Sequence, residues 1–271
     1  MDAAAHLPTV AVAPTVIRRL LPLWFVLLLA LHATARAEAF TGMRPGEQFT
    51  YKVGFAVFPR AGELTITAAA AKDAQGREVV QISTDIASRG IVRGFYAFEN
   101  KASATIDPAS GRLLHVKESG EDPKRATDSE TIFDYTARVA RHIDRSRPER
   151  STEIPIPEGD PIDLISALVQ TRDWDIKPGE KRDVLVHFGR DLYPLSIHAE
   201  GYEEVRTPIG KFRTLVLVPR MTSNPKGLFK RGGEIKVWIA QDGSRLPVKM
   251  QLVLRYGTAS LLMTNYTAAA K

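Results

Sequence analysis

Residues 49–57 read Phe-Thr-Tyr-Lys-Val-Gly-Phe-Ala-Val, and this stretch decides the fold class. Every second residue is a large apolar one, and the residues between them are small or polar. Successive side chains of a β-strand point to opposite faces of the sheet, so this alternation is typical of a strand with one buried face. We therefore predict a half-buried β-strand at the start of a β-rich domain.

The sequence on the C-terminal side of this stretch repeats the pattern between turn signals. Residues 59–62, Pro-Arg-Ala-Gly, predict a turn, and apolar residues alternate again over 64–68, so the first unit is predicted to be an antiparallel hairpin. Short alternating runs continue to Tyr266, and Asp-Gly at 242–243 is a strong hairpin signal. These runs predict a mainly β fold, either a strongly curved antiparallel sheet or an open β-barrel.

One amphipathic helix is predicted, over residues 161–171. Asp160 suits the N-cap position, and Pro161 suits the first helical position, where its missing N–H costs nothing. Asp163 would lie near the positive end of the helix dipole. The apolar residues that recur at the spacing of one helix face are Leu164, Ile165, Leu168 and Val169. We expect this helix to pack on the sheet.

Three segments interrupt the alternation. Residues 88–99 predict a short helix or an apolar loop, and the charged residues 119–130 predict a mobile loop. Residues 146–161 contain four prolines and predict an internal joint. We therefore expect residues 38–271 to form a single β-rich domain, with two sub-sheets joined near 146–161 as the alternative arrangement.

The N-terminal residues have the pattern of an export signal. Arg18 and Arg19 precede an apolar run at 20–31, and Ala35-Arg36-Ala37 matches a signal peptidase site. This run is shorter than the roughly 20 residues that a membrane-crossing helix needs. We predict that residues 1–37 are a cleaved signal peptide, and that the mature protein is periplasmic with no permanent membrane span. The general secretory route is favoured, and the paired arginines leave the twin-arginine route open.

The composition excludes several classes of site. The chain has no cysteine, which excludes disulfides, a thiol nucleophile and a lipid anchor on cysteine. The formal charge of +6 comes from 37 basic and 31 acidic residues spread along the chain, which favours a mixed-charge surface over a nucleic-acid site. The histidines His115, His142, His187 and His198 lack the close spacing of metal ligands. We predict no metal, no cofactor and no nucleic-acid partner.

No catalytic residue emerges from the sequence. The Gly-x-Ser-x-Gly pattern of serine hydrolases is absent, and Ser166 is predicted to lie inside the helix, with its hydroxyl bonded back to the preceding turn. Asp134 stands between two aromatic residues, but on a strand it would point away from both of them, into water or into the following turn. A non-enzymatic protein is favoured over an enzyme.

Several blocks of sequence together resemble a known bacterial family. They are Gly46-Glu47-x-Phe49-x-Tyr51-x-Val53, Phe133-Asp134-Tyr135, the helix segment 163–168, and the turn regions 207–212 and 237–248. Their order and spacing resemble the family catalogued as domain of unknown function 3108, over nearly all of residues 41–266. The resemblance implies an exported, β-rich protein without an established activity. It also implies an architecture similar to the open, lipid-holding half-barrels of lipoprotein carriers.

The predicted function is the binding or carriage of an apolar or amphipathic envelope molecule, such as a lipid or an acyl chain, in the concave face of the sheet. The candidate ligand-binding residues are the inward-facing aromatics Phe49, Tyr51, Phe55, Phe188 and Phe212. The alternative is an envelope interaction protein that docks on a protein complex or a polyanionic surface through a sheet edge or the basic tip at 226–231. The third hypothesis is a hydrolase that acts on envelope polymers.

Cleavage is expected after Ala37, so that the exported protein begins at Glu38. Small residues at the end of the signal and two positions before it fit the peptidase site. N-terminal sequencing of the exported protein tests this expectation. A mature chain that still begins before Leu20 would show that the segment is not a cleaved signal.

Overall fold

The computed structural model describes residues 42–221, 225, 229, 232–254 and 257–269. The predicted signal peptide at 1–37 and most of the basic tip at 226–231 lie outside these residues.

The described strands are β1 (Gln48–Phe55), β2 (Phe58–Lys72), β3 (Glu78–Ser88), β4 (Glu99–Ile106), β5 (Leu113–Asp122), β6 (Arg125–Asp134), β7 (Val139–Asp144), β8 (Thr152–Pro155), β9 (Ile162–Asp163), β10 (Lys181–Phe188), β11 (Asp191–Thr207), β12 (Gly210–Arg220), β13 (Glu234–Ala240), β14 (Pro247–Leu254) and β15 (Gly257–Thr267). The described helices are α1 (Gly90–Phe95) and α2 (Leu164–Gln170), with 3-10 turns at Pro148–Arg150 and Thr171–Asp173.

These 15 strands form one sheet in the order β8-β7-β6-β5-β4-β3-β2-β1-β15-β14-β13-β12-β11-β10-β9. Neighbouring strands pair antiparallel, apart from β9 and β10, which pair in parallel. Among the described strands, β8 and β9 end the sheet without pairing to each other. The predicted fold, a mainly β curved and open antiparallel sheet, is confirmed.

The stretch that predicted the fold is the central strand of the sheet. Phe49 and Tyr51 are fully buried, and the Tyr51 hydroxyl donates to the Pro247 carbonyl at 2.9 Å. The strand ends at Phe55, two residues earlier than the alternation indicates. Ala56 has a φ of 49°, which reverses the chain, and Val57 is 83% exposed in the resulting turn. Val57 continues the alternation in the sequence, but it lies in the turn, and its side chain is therefore exposed.

The sheet curls until strands near its two ends touch. The ring of Phe133 on β6 meets the ring of His187 on β10 edge to face, with the ring centroids 5.2 Å apart. In the order of the sheet, β6 and β10 lie near opposite ends, so their contact closes the concave side around an interior.

The proline-rich segment lies at the gap between the two ends of the sheet. Two arginines hold it there, because Arg112 Nε donates to Asp160 Oδ2 at 2.9 Å and Arg138 Nη2 donates to the Gly159 carbonyl at 2.9 Å. The strands before and after this segment belong to one sheet, which is continuous through β1. This single sheet replaces the alternative arrangement of two sub-sheets joined near 146–161.

The helix begins later than the sequence predicts. Its N-cap is Asp163, whose Oδ1 accepts hydrogen bonds from the N–H groups of Ile165 and Ser166 at 2.9 and 3.1 Å. The residues expected to start it, from Pro161 on, stay extended because Ile162 and Asp163 pair with β10. A local propensity for helix yields here to the hydrogen bonds of the sheet.

The other two interruptions also resolve into regular structure. Residues 90–95 form α1, which is the helical alternative predicted for 88–99. The predicted mobile loop at 119–130 is wrong, because these residues belong to the β5–β6 hairpin. Asp122 accepts hydrogen bonds from the N–H groups of Lys124 and Arg125 at 2.8 and 3.2 Å, which closes a tight turn. Charged residues suit a strand whose outer face meets water.

An ion pair between a buried glutamate and a partly buried arginine joins the start of β1 to the end of α2. Arg172 contacts Glu47 with two nitrogens, Nη1 to Oε2 at 2.8 Å and Nη2 to Oε1 at 3.1 Å. The Tyr266 hydroxyl and the Arg44 N–H also donate to this carboxylate, each at 2.7 Å. Burial alone would raise the pKa of Glu47, but the hydrogen bonds from Arg172, Arg44 and Tyr266 outweigh it and hold that pKa below its usual range.

Arg172 also binds the backbone on two sides. Its Nη1 donates to the Gly42 carbonyl at 2.8 Å, and its Nη2 lies 3.4 Å from the Ser244 carbonyl. Gly42 is needed for this approach, because a Cβ at that position would lie 2.8 Å from the Gln170 nitrogen. The network therefore fixes the end of α2 against the N-terminal and C-terminal parts of the sheet.

Replacing Arg172 with Met should destabilise the fold by about 3–5 kcal/mol, because Glu47 would be left as an unpaired buried charge. Urea unfolding measures this change. The matched control is Arg93→Met, which breaks the exposed Arg93–Glu99 pair and should cost no more than about 1 kcal/mol. Equal effects of the two substitutions would show that the Glu47–Arg172 pair contributes no more than a surface pair.

Candidate ligand cavity

The curled sheet encloses a cavity of about 440 Å³. Its lining comes from strands of both halves of the sheet and from α2. One wall is aliphatic and is formed by β1 and the strands that follow it in the order of the sheet. The side chains of this wall include Val53, Leu217, Ile235, Val237, Leu252 and Leu261.

The opposite wall, on β4 to β7, combines apolar side chains such as Val116 with a set of polar residues, and we call this set the polar wall: Asn100, Glu118, Ser129, Thr131 and His142. Asn100 Nδ2 donates to Glu118 Oε1 at 2.9 Å, and Thr131 Oγ1 is hydrogen-bonded to His142 Nδ1 at 3.0 Å. Register explains why these residues lie together. Glu118 is directly opposite Ser129 in the β5–β6 pair, and Thr131 is directly opposite His142 in the β6–β7 pair.

Helix α2 covers part of the cavity and leaves a mouth beside it. Ala167 and Leu168 line the cavity from the helix and are buried. Leu164 at the start of α2 and Phe188 at the end of β10 line it too, yet they are 38% and 60% exposed. Two exposed apolar side chains therefore mark the place where the cavity meets solvent.

The titratable groups of the described lining are carboxyl groups and histidines. Burial, with a smaller contribution from the nearby His142, lowers the pKa of His187 to about 4, although a backbone hydrogen bond at Gly189 opposes the shift. Burial is also the main cause of the lowered pKa of His142. The pKa of Asp163 is raised by burial, although its hydrogen bonds with Ser166 and Ile165 oppose the rise. No lysine or arginine belongs to the lining formed by the described residues.

Glu130 is the one acidic lining residue with cationic partners. It pairs with Arg145, and its Oε2 lies 2.9 Å from His115 Nε2. Burial would raise the pKa of Glu130, but the contacts with His115 and Arg145 lower it overall. Glu118, in contrast, has no ion-pair partner among the residues that the structure describes.

Phe188 alone among the five predicted binding residues lines the cavity. Phe49 and Tyr51 are fully buried in the core, where Phe49 packs against the Tyr266 ring with centroids 5.6 Å apart. Phe55 and Phe212 are half-buried and stand outside the cavity lining. The structure therefore does not bring the five aromatic side chains together, and a binding role at the cavity stays a prediction for Phe188.

The sequence interpretation missed the polar wall. Its members lie partly in the segment 119–130, which was assigned to a mobile loop. A signal was present, because Ser129, Thr131 and Phe133 alternate and all three are buried. Polar residues on such a face are usually taken for the solvent side of a strand, and only the closure of the sheet turns this face inward.

The structure gives no support to a hydrolytic or metal site in the part of the chain that it describes. Among the described residues, no group of three or more His, Asp or Glu side chains could hold a metal ion. The Ser166 hydroxyl donates to the carboxylate of Asp163, the N-cap residue three positions earlier, so it bonds back along the chain as predicted, to a side chain. Asp134 accepts from the N–H groups of Thr136 and Ala137, both at 2.9 Å, which is the turn-closing role that the sequence predicts.

A family model, described as "Protein of unknown function (DUF3108)", matches residues 50–264 of the chain. The chain belongs to this family. The resemblance carried by the sequence blocks is thereby confirmed, and the match spans β1 to β15. A comparison with curated proteins finds no match.

Among solved structures, the fold is similar to a β-barrel-like protein of domain of unknown function DUF1849 from Brucella abortus. The two are 5% identical with a TM-score of 0.54, over 84% of this chain and 99% of that chain. At this sequence identity, the similarity shows a shared fold and nothing about function.

Two further solved structures are more distant. A protein with a YmcC-like fold from Bacteroides fragilis is 9% identical with a TM-score of 0.34, over 84% of this chain and 99% of that chain. A protein described as a lipoprotein from Parabacteroides distasonis is 8% identical with a TM-score of 0.29, over 84% of this chain and 98% of that chain. Similarities of this size support no statement about the chain. None of the helices in the described residues has the length and apolar character that a membrane crossing requires.

The stability of the protein should fall as the pH is lowered from 6.5 towards 4, in part through His187. Its folded-state pKa of about 4 lies below the value of 6.5 for a free histidine. Protons therefore bind the unfolded chain first in this window and favour unfolding, by up to about 3 kcal/mol. Urea unfolding at pH 7.5 and pH 5 should show a smaller pH dependence for His187→Gln than for the wild type.

Val186→Ala is the control for this measurement, because it removes buried apolar volume from the same strand without a titrating group. It should lower the free energy of unfolding by similar amounts at both pH values. An unchanged pH dependence in His187→Gln would contradict the expectation.

Proposed function

We propose that this protein is an exported carrier that holds an apolar or amphipathic molecule of the cell envelope, such as a lipid or an acyl chain, in its cavity without chemical conversion. One observation carries the proposal. Aliphatic side chains that line the cavity remain only half-buried, namely Val53, Ile86, Val116, Ile235 and Leu252. Aliphatic surface facing the inside of a curled sheet is surface that a ligand can cover.

The energetics of such a ligand are favourable. A cavity of about 440 Å³ lies within the range of roughly 300–1,000 Å³ that small-molecule sites occupy. Each methylene of an acyl chain that leaves water contributes about 0.8 kcal/mol. The aliphatic wall would take the chain, and the polar wall would take the head group. The open sheet and the exposed Leu164 and Phe188 give such a molecule a path of entry.

The predicted signal peptide supports a periplasmic location for this carrier. The absence of cysteine from the whole sequence fits a mature protein without a lipid anchor on cysteine. Both points support the proposal from the sequence, and family membership is compatible with them.

Purified, delipidated protein should bind a dodecyl-chain amphiphile at micromolar concentrations, as followed by displacement of an uncharged fluorescent probe. Leu252→Asp should weaken binding by about 10-fold or more, because it places a carboxylate on the aliphatic wall. Native mass spectrometry of protein purified from the periplasm should also find a co-purified lipid.

Gln251→Asp is the matched control, because it introduces the same charge on the neighbouring residue of β14, outside the cavity lining. Circular dichroism and thermal melting must show that both variants are folded. If the folded, delipidated wild type binds no amphiphile, the carrier function is wrong.

A second candidate function, docking on an envelope partner, is favoured by a different observation. Four apolar side chains are exposed at the β1–β2 turn and around α1: Val57 at 83%, Ile91 at 79%, Phe95 at 62% and Tyr96 at 41%. The rings of Phe95 and Phe58 are 5.7 Å apart, so the two segments form one surface. Contiguous exposed apolar surface commonly marks an interaction site. This candidate takes precedence if the cavity binds no amphiphile.

A further inference from the structure

The polar wall of the cavity offers acceptors of hydrogen bonds without a compensating positive charge. Glu118 lines the cavity, is half-buried and receives a hydrogen bond from Asn100 at 2.9 Å. A carboxylate has acceptor sites for more than one such bond. Since no cation within ion-pair distance of Glu118 is found among the described residues, its charge is available to a ligand.

A second, independent observation also indicates a ligand that donates hydrogen bonds. His187 lines the cavity and is 4% exposed, and its Nε2 has no hydrogen-bond partner among the described residues. The backbone hydrogen bond at Gly189 engages the imidazole, so in the neutral ring Nε2 is the acceptor nitrogen. A buried polar atom without a partner costs free energy, and a ligand that donates to it recovers that cost.

The charged groups around the cavity are acidic within the described lining and basic outside it. The acidic lining residues are Glu118, Glu130 and Asp163, and the two lining histidines have lowered pKa values. The nearest cations stand outside the lining. Arg145 is held by Glu130 and Asp128, whereas Arg150 and the exposed Arg190 lie near enough to the lining residue His142 to contribute to its lowered pKa. The described lining therefore contains carboxyl groups and histidines with lowered pKa values, and no lysine or arginine.

We infer that the cavity selects an amphiphile whose head group donates hydrogen bonds and carries no negative charge, and that it disfavours fatty-acid anions. This inference rests on the proposed carrier function and names the ligand class of the same cavity. A hydroxyl-bearing head could donate to Glu118 and His187. An anionic head would instead face the Glu118 carboxylate, and the described lining has no cation to offset the repulsion.

The test compares three ligands with the same chain: 1-dodecanoylglycerol, dodecylamine and dodecanoate. Each displaces an uncharged fluorescent probe from the wild-type protein at pH 7.5. We expect dodecanoate to bind at least about 10-fold more weakly than the other two. If dodecanoate binds as tightly as 1-dodecanoylglycerol, the selectivity is overturned and the carrier function stands. If none of the three binds, the carrier function and the selectivity both fall.

The variant Glu118→Gln tests whether Glu118 causes the selectivity. It removes the charge and keeps a polar side chain of the same shape, so the preference for 1-dodecanoylglycerol over dodecanoate should shrink to within about 3-fold. The matched control is Glu121→Gln, which removes the same charge from the same strand at an exposed position outside the lining. A wild-type preference in a folded Glu118→Gln variant would overturn the role of Glu118. The comparison of ligands on the wild-type protein holds whether or not this variant folds.

Discussion

The ion pair between Glu47 and Arg172 is the constraint on which the position of α2 depends. Arg172 follows the helix by two residues, and Glu47 immediately precedes the central strand. Glu47 is buried and Arg172 is partly buried, and the pair is held by two direct contacts and by backbone groups on either side. Removing one partner would leave a charge in a low-dielectric interior, so the arrangement is strongly specified. The helix that partly covers the cavity is thereby fixed to the sheet at its C-terminal end.

The cavity itself follows from the length and curvature of the sheet. Neighbouring strands in a twisted sheet are rotated relative to one another, and the rotations add up over many strands. Here the accumulated rotation brings β6 and β10 into contact at Phe133 and His187, although the sheet stays open. The inner faces of the two halves then confront each other. One is aliphatic and the other carries the polar wall, and this asymmetry suits an amphipathic ligand better than a purely apolar one.

Much of the fold was predictable because a half-buried strand requires apolar and polar residues to alternate in the sequence. The alternation at 49–57 predicted the central strand, and Phe49 and Tyr51 are buried on one face as expected. The errors occur where longer-range pairing overrides local preference. Ile162 and Asp163 pair with β10 instead of forming the first turn of the helix, and the charged residues at 119–130 belong to a hairpin. The binding residues were predicted less well, because inward-facing aromatics can pack in the core as well as line a cavity.

By itself, the sequence determined the fold class, the export signal as a prediction, the absence of cysteine chemistry and membership of the family. Each of these depends on local pattern or on the order of short blocks, which need no knowledge of distant contacts. Only the tertiary structure decided that Glu118 and His142 share one wall and that His187 approaches it from the other end of the sheet. The physical reason is that the two ends of an open sheet meet through accumulated twist, and no local sequence pattern records which distant residues that twist brings together.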